Sequence, residues 1–541
     1  MPAICQGRSS ISSVVAQEDR VSLSKSTVSV SLMTAVSRFS GFIAIMVLAG
    51  ALGSGVLADS YNLASTMPNM LFELLIGGVL TSVFVPVFVE QVLDGRQRSW
   101  RVAANFVNVS TVFLVGVALF GTFFSFYFVR VQTFLVKSTD PSVTAASLFF
   151  KFFVWQIVFY GLTGIVNGIL QSLRRFTVPA MAPIFNNVVV IATVLFVYMP
   201  LRSSHPVLAV YALALGTTMG IAAMALVQIP ALLREGYRHQ FVFDLRDPAL
   251  RKLAVLALPV LGYVASNQVG LTVSNVLAYQ FRGGMTAFAY AWRFFQLPYG
   301  IISVSIATVL FTGIAEAAAR QDMDKLKQRL SQGIRATGFI VLPVSMFMFV
   351  FSRPIIIVTL RHGIFTTAGA ERTANVLAYF VIGLLPFSTF LLLARVFYAL
   401  KDTATPMKVN ALGVPINIAL DVLLVRFYGV TGLSMGHSIT YTVTSVIMLL
   451  ALRRRIGSLG IPEMGAALGK FSLLSFLVGV IMVAAMRLTG LLDAVGFWPN
   501  IKALISGGVF TAVVYGIGSY MGRFAELRVL SDIVTRRAKK I

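Results

Sequence analysis

Residues 29–52 read SVSLMTAVSRFSGFIAIMVLAGAL, an apolar run long enough to cross a bilayer, with one permanent charge, Arg38, inside it. Arg38 lies about ten residues from the start of the run near Val28. At about 1.5 Å of rise per residue it is roughly 15 Å deep, near the middle of a roughly 30 Å hydrocarbon core. A guanidinium there is costly unless it faces a cavity, a partner or an anionic ligand. A membrane chain that keeps such a charge is expected to handle something negative.

The rest of the chain is of the same kind. Of its 541 residues, 57% are hydrophobic and 12% charged, and the mean hydropathy is +0.84. These values indicate an all-α polytopic membrane protein. Apolar runs at 28–52, 62–89, 105–129, 147–170, 178–199, 206–233, 253–281, 286–314, 333–358, 373–400, 407–427, 430–452, 468–490 and 500–522 are read as about fourteen transmembrane helices. The runs are continuous rather than alternating, which excludes a membrane β-barrel.

A net charge of +24 suggests nucleic acid as a partner, but the distribution of charge does not. With an even number of spans, both termini share one side. If that side is the cytoplasm, tails and inner loops hold roughly 29 of the 44 Lys and Arg. Arg96, Arg98, Arg101, Arg174, Arg175, Arg251, Lys252, Arg453, Arg454 and Arg455 are examples. Arg536, Arg537, Lys539 and Lys540 would lie against anionic membrane lipids. The single cysteine, Cys5, excludes a disulfide framework, and the four histidines show no metal spacing. The polar, Ser-rich segment 1–27 reads as a tail rather than a secretory signal.

The chain repeats at an offset of about 227 residues. Leu173-Arg174-Arg175-Phe176-Thr177-Val178-Pro179 aligns with Leu400-Lys401-Asp402-Thr403-Ala404-Thr405-Pro406. Met67-Pro68 aligns with Leu297-Pro298, and the end at Glu90 with that at Glu316. Spans 1–6 and 7–12 therefore read as two parallel six-helix lobes related by a pseudo-two-fold axis, with two extra C-terminal helices, a known transporter design with the substrate site between halves. The expected divisions are a tail (1–27), an N-lobe (28–233), a linker (234–252), a C-lobe (253–452), spans 13 and 14 (453–522) and a basic tail (523–541).

Arg293 and Arg395 also lie within spans. Arg293 is about eight residues from one end of span 8, roughly 12 Å deep. Arg395 is close enough to a span end to snorkel or simply to pack, and is also a candidate gating residue. Arg38 and Arg293 are expected to line a cavity, where two planar guanidinium forks suit a diphosphate. Glu73, mid-span, is read either as an ion-pair partner of Arg38 or Arg293 or as a proton-linked gate. Asn417 and Asp421, one turn apart in span 11, are a candidate cation site or a structural polar pair. Asp59, after span 1, is expected to be solvated, with a gate or coupling role as the sharper reading. Nucleotide-binding, serine-hydrolase and zinc-protease motifs are lacking, so no enzyme and no cofactor is expected. Energy would come from the membrane potential or from Na+ or H+ gradients.

Several segments resemble a known family. Met33-Thr34-Ala35-Val36-Ser37-Arg38 with Gly41-Phe42, Met67-Pro68-Asn69, and Phe84-Val85-Pro86 are similar to the start of the MurJ (MviN) flippases. So are the stretch from Asn167 to Asn187, Ala291-Trp292-Arg293 with Leu297-Pro298-Tyr299-Gly300, and the turn from Phe397 to Pro406. The resemblance implies the fold of multidrug/oligosaccharidyl-lipid/polysaccharide (MOP) exporters and residence in the bacterial cytoplasmic membrane. It implies flipping of lipid II, the undecaprenyl-diphosphate-linked peptidoglycan precursor, for cell-wall growth and cell shape. It puts Arg38 and Arg293 at diphosphate-binding positions, spans 13 and 14 along the lipid tail, and cell-wall synthesis proteins among candidate partners. Asp59 matches an acidic family position. The chain departs from the family at Ala44, Phe72 and Glu73, where bases are common, and at Ile45, where an acid is common. The alternatives are a flippase for another polyprenyl-diphosphate glycan, a cation-coupled exporter of the same fold, and a non-transporting scaffold for envelope synthesis.

Overall fold

A computed structural model describes residues 29–30, 32–73, 88, 96–173, 175–490 and 496–527. The segment 1–27, much of the span expected over 62–89, Arg174 and the basic end from 528 onward lie outside the described residues. The described secondary structure is helical. We number the helices that correspond to the expected spans α1 (Leu32–Leu52), α2 (Val56–Phe72), α3 (Arg96–Phe123), α4 (Pro141–Phe153 and Gln156–Ser172), α5 (Thr177–Ser204), α6 (Pro206–Arg234) and α7 (Pro248–Tyr279). There follow α8 (Gly284–Ala319), α9 (Met323–Val350), α10 (Thr367–Ile382 and Leu384–Ala399), α11 (Ala404–Tyr428), α12 (Thr431–Ile456), α13 (Ile461–Leu488) and α14 (Phe497–Met521). Among the described residues ten helices are long and apolar enough to cross a membrane, or up to 12 if α4 and α10 each count as one span. Of the fourteen, α2 runs into residues outside the description, and α7 has side chains outside it over 252–263.

The chain forms two compact units. The first holds 1–51, 63–131 and 141–265, and the second 52–62, 132–140 and 266–541. The 227-residue repeat is visible within each. In the first, α4 bends by 40°, and in the second α10 bends by 45° at the matching place. A bend frees carbonyls from the helical ladder, and in hydrocarbon each must find another donor. The carbonyl of Phe152, which also accepts from the Trp155 amide at 3.3 Å, accepts from the Thr218 hydroxyl of α6 at 3.1 Å. Its repeat equivalent, Tyr379, accepts from the Ser438 hydroxyl of α12 at 2.7 Å. The turns after α4 and α10 also close alike: the Leu173 and Leu400 amides donate to Ile169 and Val396, and the Arg175 and Asp402 amides to Leu170 and Phe397.

Within the first unit α5 packs on α6 through small residues, as is common where lipid supplies no hydrophobic drive between helices. A Cβ on Gly216 would fall 2.2 Å from Cγ2 of Thr193, and one on Gly220 would fall 2.5 Å from Oδ1 of Asn186. Gly216→Leu should overpack this seam and cost about 1–3 kcal/mol. The check is a lower unfolding temperature in detergent, while Leu at Gly116, whose Cβ direction is open, should be silent.

In the second unit, α9 joins α13 around Phe339, Phe471, Val478 and Tyr515. Phe351, Met482, Met486 and Ala503 form a further cluster that ties α13 and α14 to the start of helix Ser352–Leu360. Pro298 lacks the N–H that would continue the ladder in α8, and a π-helical turn, Tyr299–Ser303, follows it directly.

Candidate functional site

Arg38 lies on α1 and is exposed, as are Val36 and Phe39 beside it. Its turn is held from α5. The Asn187 amide donates to the Ser37 carbonyl at 3.3 Å and to the Ser40 hydroxyl at 2.9 Å. Asn187 thus ties down the residues on either side of Arg38. It ended one of the quoted segments without receiving a role, and its only signal was an amide within an apolar span.

Arg293 lies in the second unit on α8. Tyr290, Ala291, Phe294, Phe295 and Pro298 bury one face of that helix, and Arg293 is exposed on the other. Trp292 and Phe295 stack against each other at 5.2 Å and meet Phe380, Phe387 and His437. This aromatic packing sets the rotation of α8 and so the direction of Arg293. Among the described residues no carboxylate lies within ion-pair distance of Arg38 or Arg293.

Asp59 is not solvated as expected. It lies in the first turn of α2 and is 4% exposed. Its carboxylate accepts from the Gly283 amide at 2.5 Å, the Thr286 amide at 2.9 Å and the Thr286 hydroxyl at 2.7 Å. Gly283 is the N-cap of α8 at φ 77°, so Asp59 caps the helix that carries Arg293. A Cβ on Gly283 would meet the Ser54 carbonyl oxygen at 2.5 Å, which together with the positive φ explains glycine there. The sequence showed an acid after span 1. It did not show that the acid serves as a cap for span 8.

Glu73 closes the described part of α2, half-buried, and forms no ion pair among the described residues. Arg395 is half-buried. It donates to the Thr308 hydroxyl at 3.0 Å and lies 5.9 Å from the centre of the Phe311 ring. Where bases are common in the resembling family, this chain packs apolar groups: Ala44 is 7% exposed, and Phe72 lies against Tyr160 at 5.6 Å.

Asp421 and Asn417 are brought together on α11, with Ser274 of α7 as a third member. Asp421 accepts from the Ser274 hydroxyl at 2.6 Å and from the Asn417 amide at 3.2 Å. Asp421 is 1% exposed. One hydroxyl and one amide donor meet its carboxylate, an arrangement open to both readings, cation site and structural polar pair. Among the described residues no group of three His, Cys, Asp or Glu forms a metal cluster.

The turns carrying the repeat are tied by ion pairs of opposite polarity. In the first unit, Arg175 Nε bonds Glu235 at 2.7 Å. In the second, Arg455 bonds Asp402, which stands where Arg175 stands in the repeat. Asp402 also accepts from the Thr405 amide at 3.0 Å and the Thr405 hydroxyl at 2.8 Å. The Thr405 amide, the Thr405 hydroxyl and Arg455 hold its carboxyl below the ordinary 3.8, against some desolvation. A carboxyl lowered on folding stabilises above its unfolded value, and that stability is lost as pH falls through the folded value. Thermal unfolding should therefore show a loss as pH falls below about 4 that is smaller in Asp402→Asn.

Residues 48–504, well over half of the chain, match the sequence profile of the family described as lipid II flippase MurJ. The probable lipid II flippase MurJ of Buchnera aphidicola is 27% identical over 439 residues, covering 80% of this chain and 84% of that one. The probable lipid II flippase MurJ of Vibrio cholerae is 27% identical over 453 residues, covering 80% and 83%. A structure of lipid II flippase MurJ in an inward closed conformation superposes with a TM-score of 0.75 at 22% identity, covering 91% of this chain and 98% of that one. An inward-facing multidrug resistance MATE family transporter of the MOP superfamily gives 0.63 at 15% identity, covering 77% and 95%. The two structures show the fold, that of the MOP transporters, and the profile match shows that this chain, a multi-pass membrane protein, belongs to the lipid II flippase MurJ family.

Proposed function

We propose that this chain flips lipid II from the inner to the outer leaflet of the bacterial cytoplasmic membrane, with both termini in the cytoplasm. The match over residues 48–504 carries this reading. The excess of Lys and Arg on one set of loops supports the orientation. Arg38 and Arg293 bind the diphosphate, each a planar fork offering paired donors to phosphate oxygens. Their exposure within apolar helices, with no carboxylate in reach among the described residues, supports that role. A sugar-bearing diphosphate cannot cross hydrocarbon without a polar path, so the arginines are exposed to one side and then the other by alternating access. The polyprenyl tail stays in lipid along α13 and α14.

The membrane potential, worth roughly 2.3 kcal/mol per charge per 100 mV, favours outward movement of an anion. Asp421, Asn417 and Ser274 form the site through which Na+ or H+ resets the cycle. Asp421→Asn keeps an acceptor for Ser274 and removes the exchangeable charge. Its flipping should no longer respond to Na+ replacement or to a pH step, and an unchanged response would move coupling elsewhere.

The test of the function is complementation. Cells depleted of their own flippase and expressing this chain should display lipid II on the outer leaflet and grow. Failure with inserted, folded protein would favour another polyprenyl-diphosphate glycan as cargo. Purified chain in vesicles, given each lipid in turn, distinguishes the two.

A further inference from the structure

Between α6 and α7 the chain does not hang free. Tyr237 sits edge-on to Trp100 of α3 at 5.5 Å. From there the chain runs along α3. The Asn108 amide donates to the Gln240 carbonyl at 2.8 Å and the Val242 carbonyl at 2.9 Å. The chain then turns back. Asn105 donates to the Asp244 carbonyl and accepts from the Asp244 amide, both at 2.8 Å. The Val242 amide bonds the Gln240 carbonyl at 2.9 Å, a three-residue turn with Phe241 at its apex. Trp100 to Asn108 is eight residues of helix, so the apex lies about 12 Å further along α3 than Tyr237 does, toward its apolar part.

Polar contacts hold one side of this hairpin to α3, and the other side is apolar. Phe241 is 97% exposed, Phe243 56% and Leu245 64%. Between them Val242 is half-buried, and the backbone of Asp244 is held by Asn105. Arg238, Arg246 and Arg251 are exposed around them. The acids nearby have internal work. Glu235 pairs with Arg175, Asp244 accepts from the Arg246 amide at 2.8 Å, and Asp247 accepts from Asn105 at 3.4 Å.

We infer that residues 237–247 are a lipid-inserting hairpin, with Phe241 and Phe243 in the acyl boundary of the adjacent leaflet and Arg238 and Arg246 on anionic phosphates. Exposed aromatics among arginines match a surface that is apolar below and negative above. On the orientation proposed above, that leaflet is the cytoplasmic one, but the geometry does not depend on it. The hairpin fixes the α3–α6 side of the first unit at a set depth.

The chain has one cysteine, so Cys5→Ser provides a background for single labels. An environment-sensitive fluorophore on Phe241→Cys, in vesicles containing phosphatidylglycerol, should emit to the blue and be quenched by doxyl-labelled lipids, as for a group about 5–10 Å below the headgroups. The same label on Asp324→Cys, whose side chain is 99% exposed beside Lys327, should do neither. A water-like, unquenched label at 241 overturns the inference and leaves the aromatic face for a protein partner. Replacing phosphatidylglycerol by phosphatidylcholine should weaken quenching at 241, and Arg238→Gln with Arg246→Gln should abolish that dependence. Quenching indifferent to lipid charge overturns the arginine contacts.

Discussion

Arg38→Ala should abolish rescue of flippase-depleted cells while inserted protein stays at the wild-type level. Arg38 is exposed on its helix and joins no ion pair among the described residues. Its loss therefore removes no packing on which the fold depends. What it removes is half of the proposed diphosphate cradle. Truncating one partner of a desolvated, hydrogen-bonded charge pair costs about 2–5 kcal/mol, or roughly 30-fold to several thousandfold in affinity. Arg293→Ala should behave alike, because Arg293 is exposed while its helix is held by Trp292 and Phe295. Lys at either position should recover part of the activity, since it restores charge without the planar fork. Trp292→Ala should look different, with less stable protein and a lower unfolding temperature, because Trp292 packs among Phe295, Phe380 and His437. The measurement is outer-leaflet lipid II at matched protein levels. Wild-type display by both alanine variants would remove these residues from the site.

These two arginines were legible because a charge within a long apolar run is costly, and that cost is visible in one dimension. The repeat was legible for a similar reason: Pro-bearing turns at a fixed offset leave a pattern, and the matching backbone bonds at Leu173 and Leu400 follow it. The bends in α4 and α10 left no such trace. Hydroxyls from other helices, Thr218 and Ser438, bond carbonyls beside them, and serine or threonine in a span has many uses. Ser274 was missed beside Asp421 for the same reason, since only folding brings α7 and α11 together. The departures at Ala44 and Phe72 read in sequence as missing charge. In the fold Ala44 is buried and Phe72 lies against Tyr160, so neither position adds charge to the proposed anion site. Asp59 was misjudged because hydropathy says where a run ends but not what the residue beyond it bonds to.

Asp59→Ala should cost more than an ordinary cap removal, and should impair flipping through Arg293. Removing a capping side chain typically costs about 0.5–2 kcal/mol. Here one carboxylate serves the amides of Gly283 and Thr286 and the Thr286 hydroxyl, in a place where Asp59 is only 4% exposed. Alanine would leave three donors with little access to water, and a buried unsatisfied donor costs about 1–3 kcal/mol. The negative charge at the positive end of α8 is lost as well. Arg293 lies about 14 Å further along the same helix, so fraying or tilting at the cap displaces it. Asp59→Asn keeps an acceptor for some of these donors and should recover much of the stability. Its remaining deficit separates holding the fold from holding Arg293. If the asparagine variant unfolds like wild type yet binds lipid II more weakly, with Arg293→Lys adding little further loss, the cap acts through Arg293. If Asp59→Ala flips lipid II at the wild-type rate, the cap does not position the arginine.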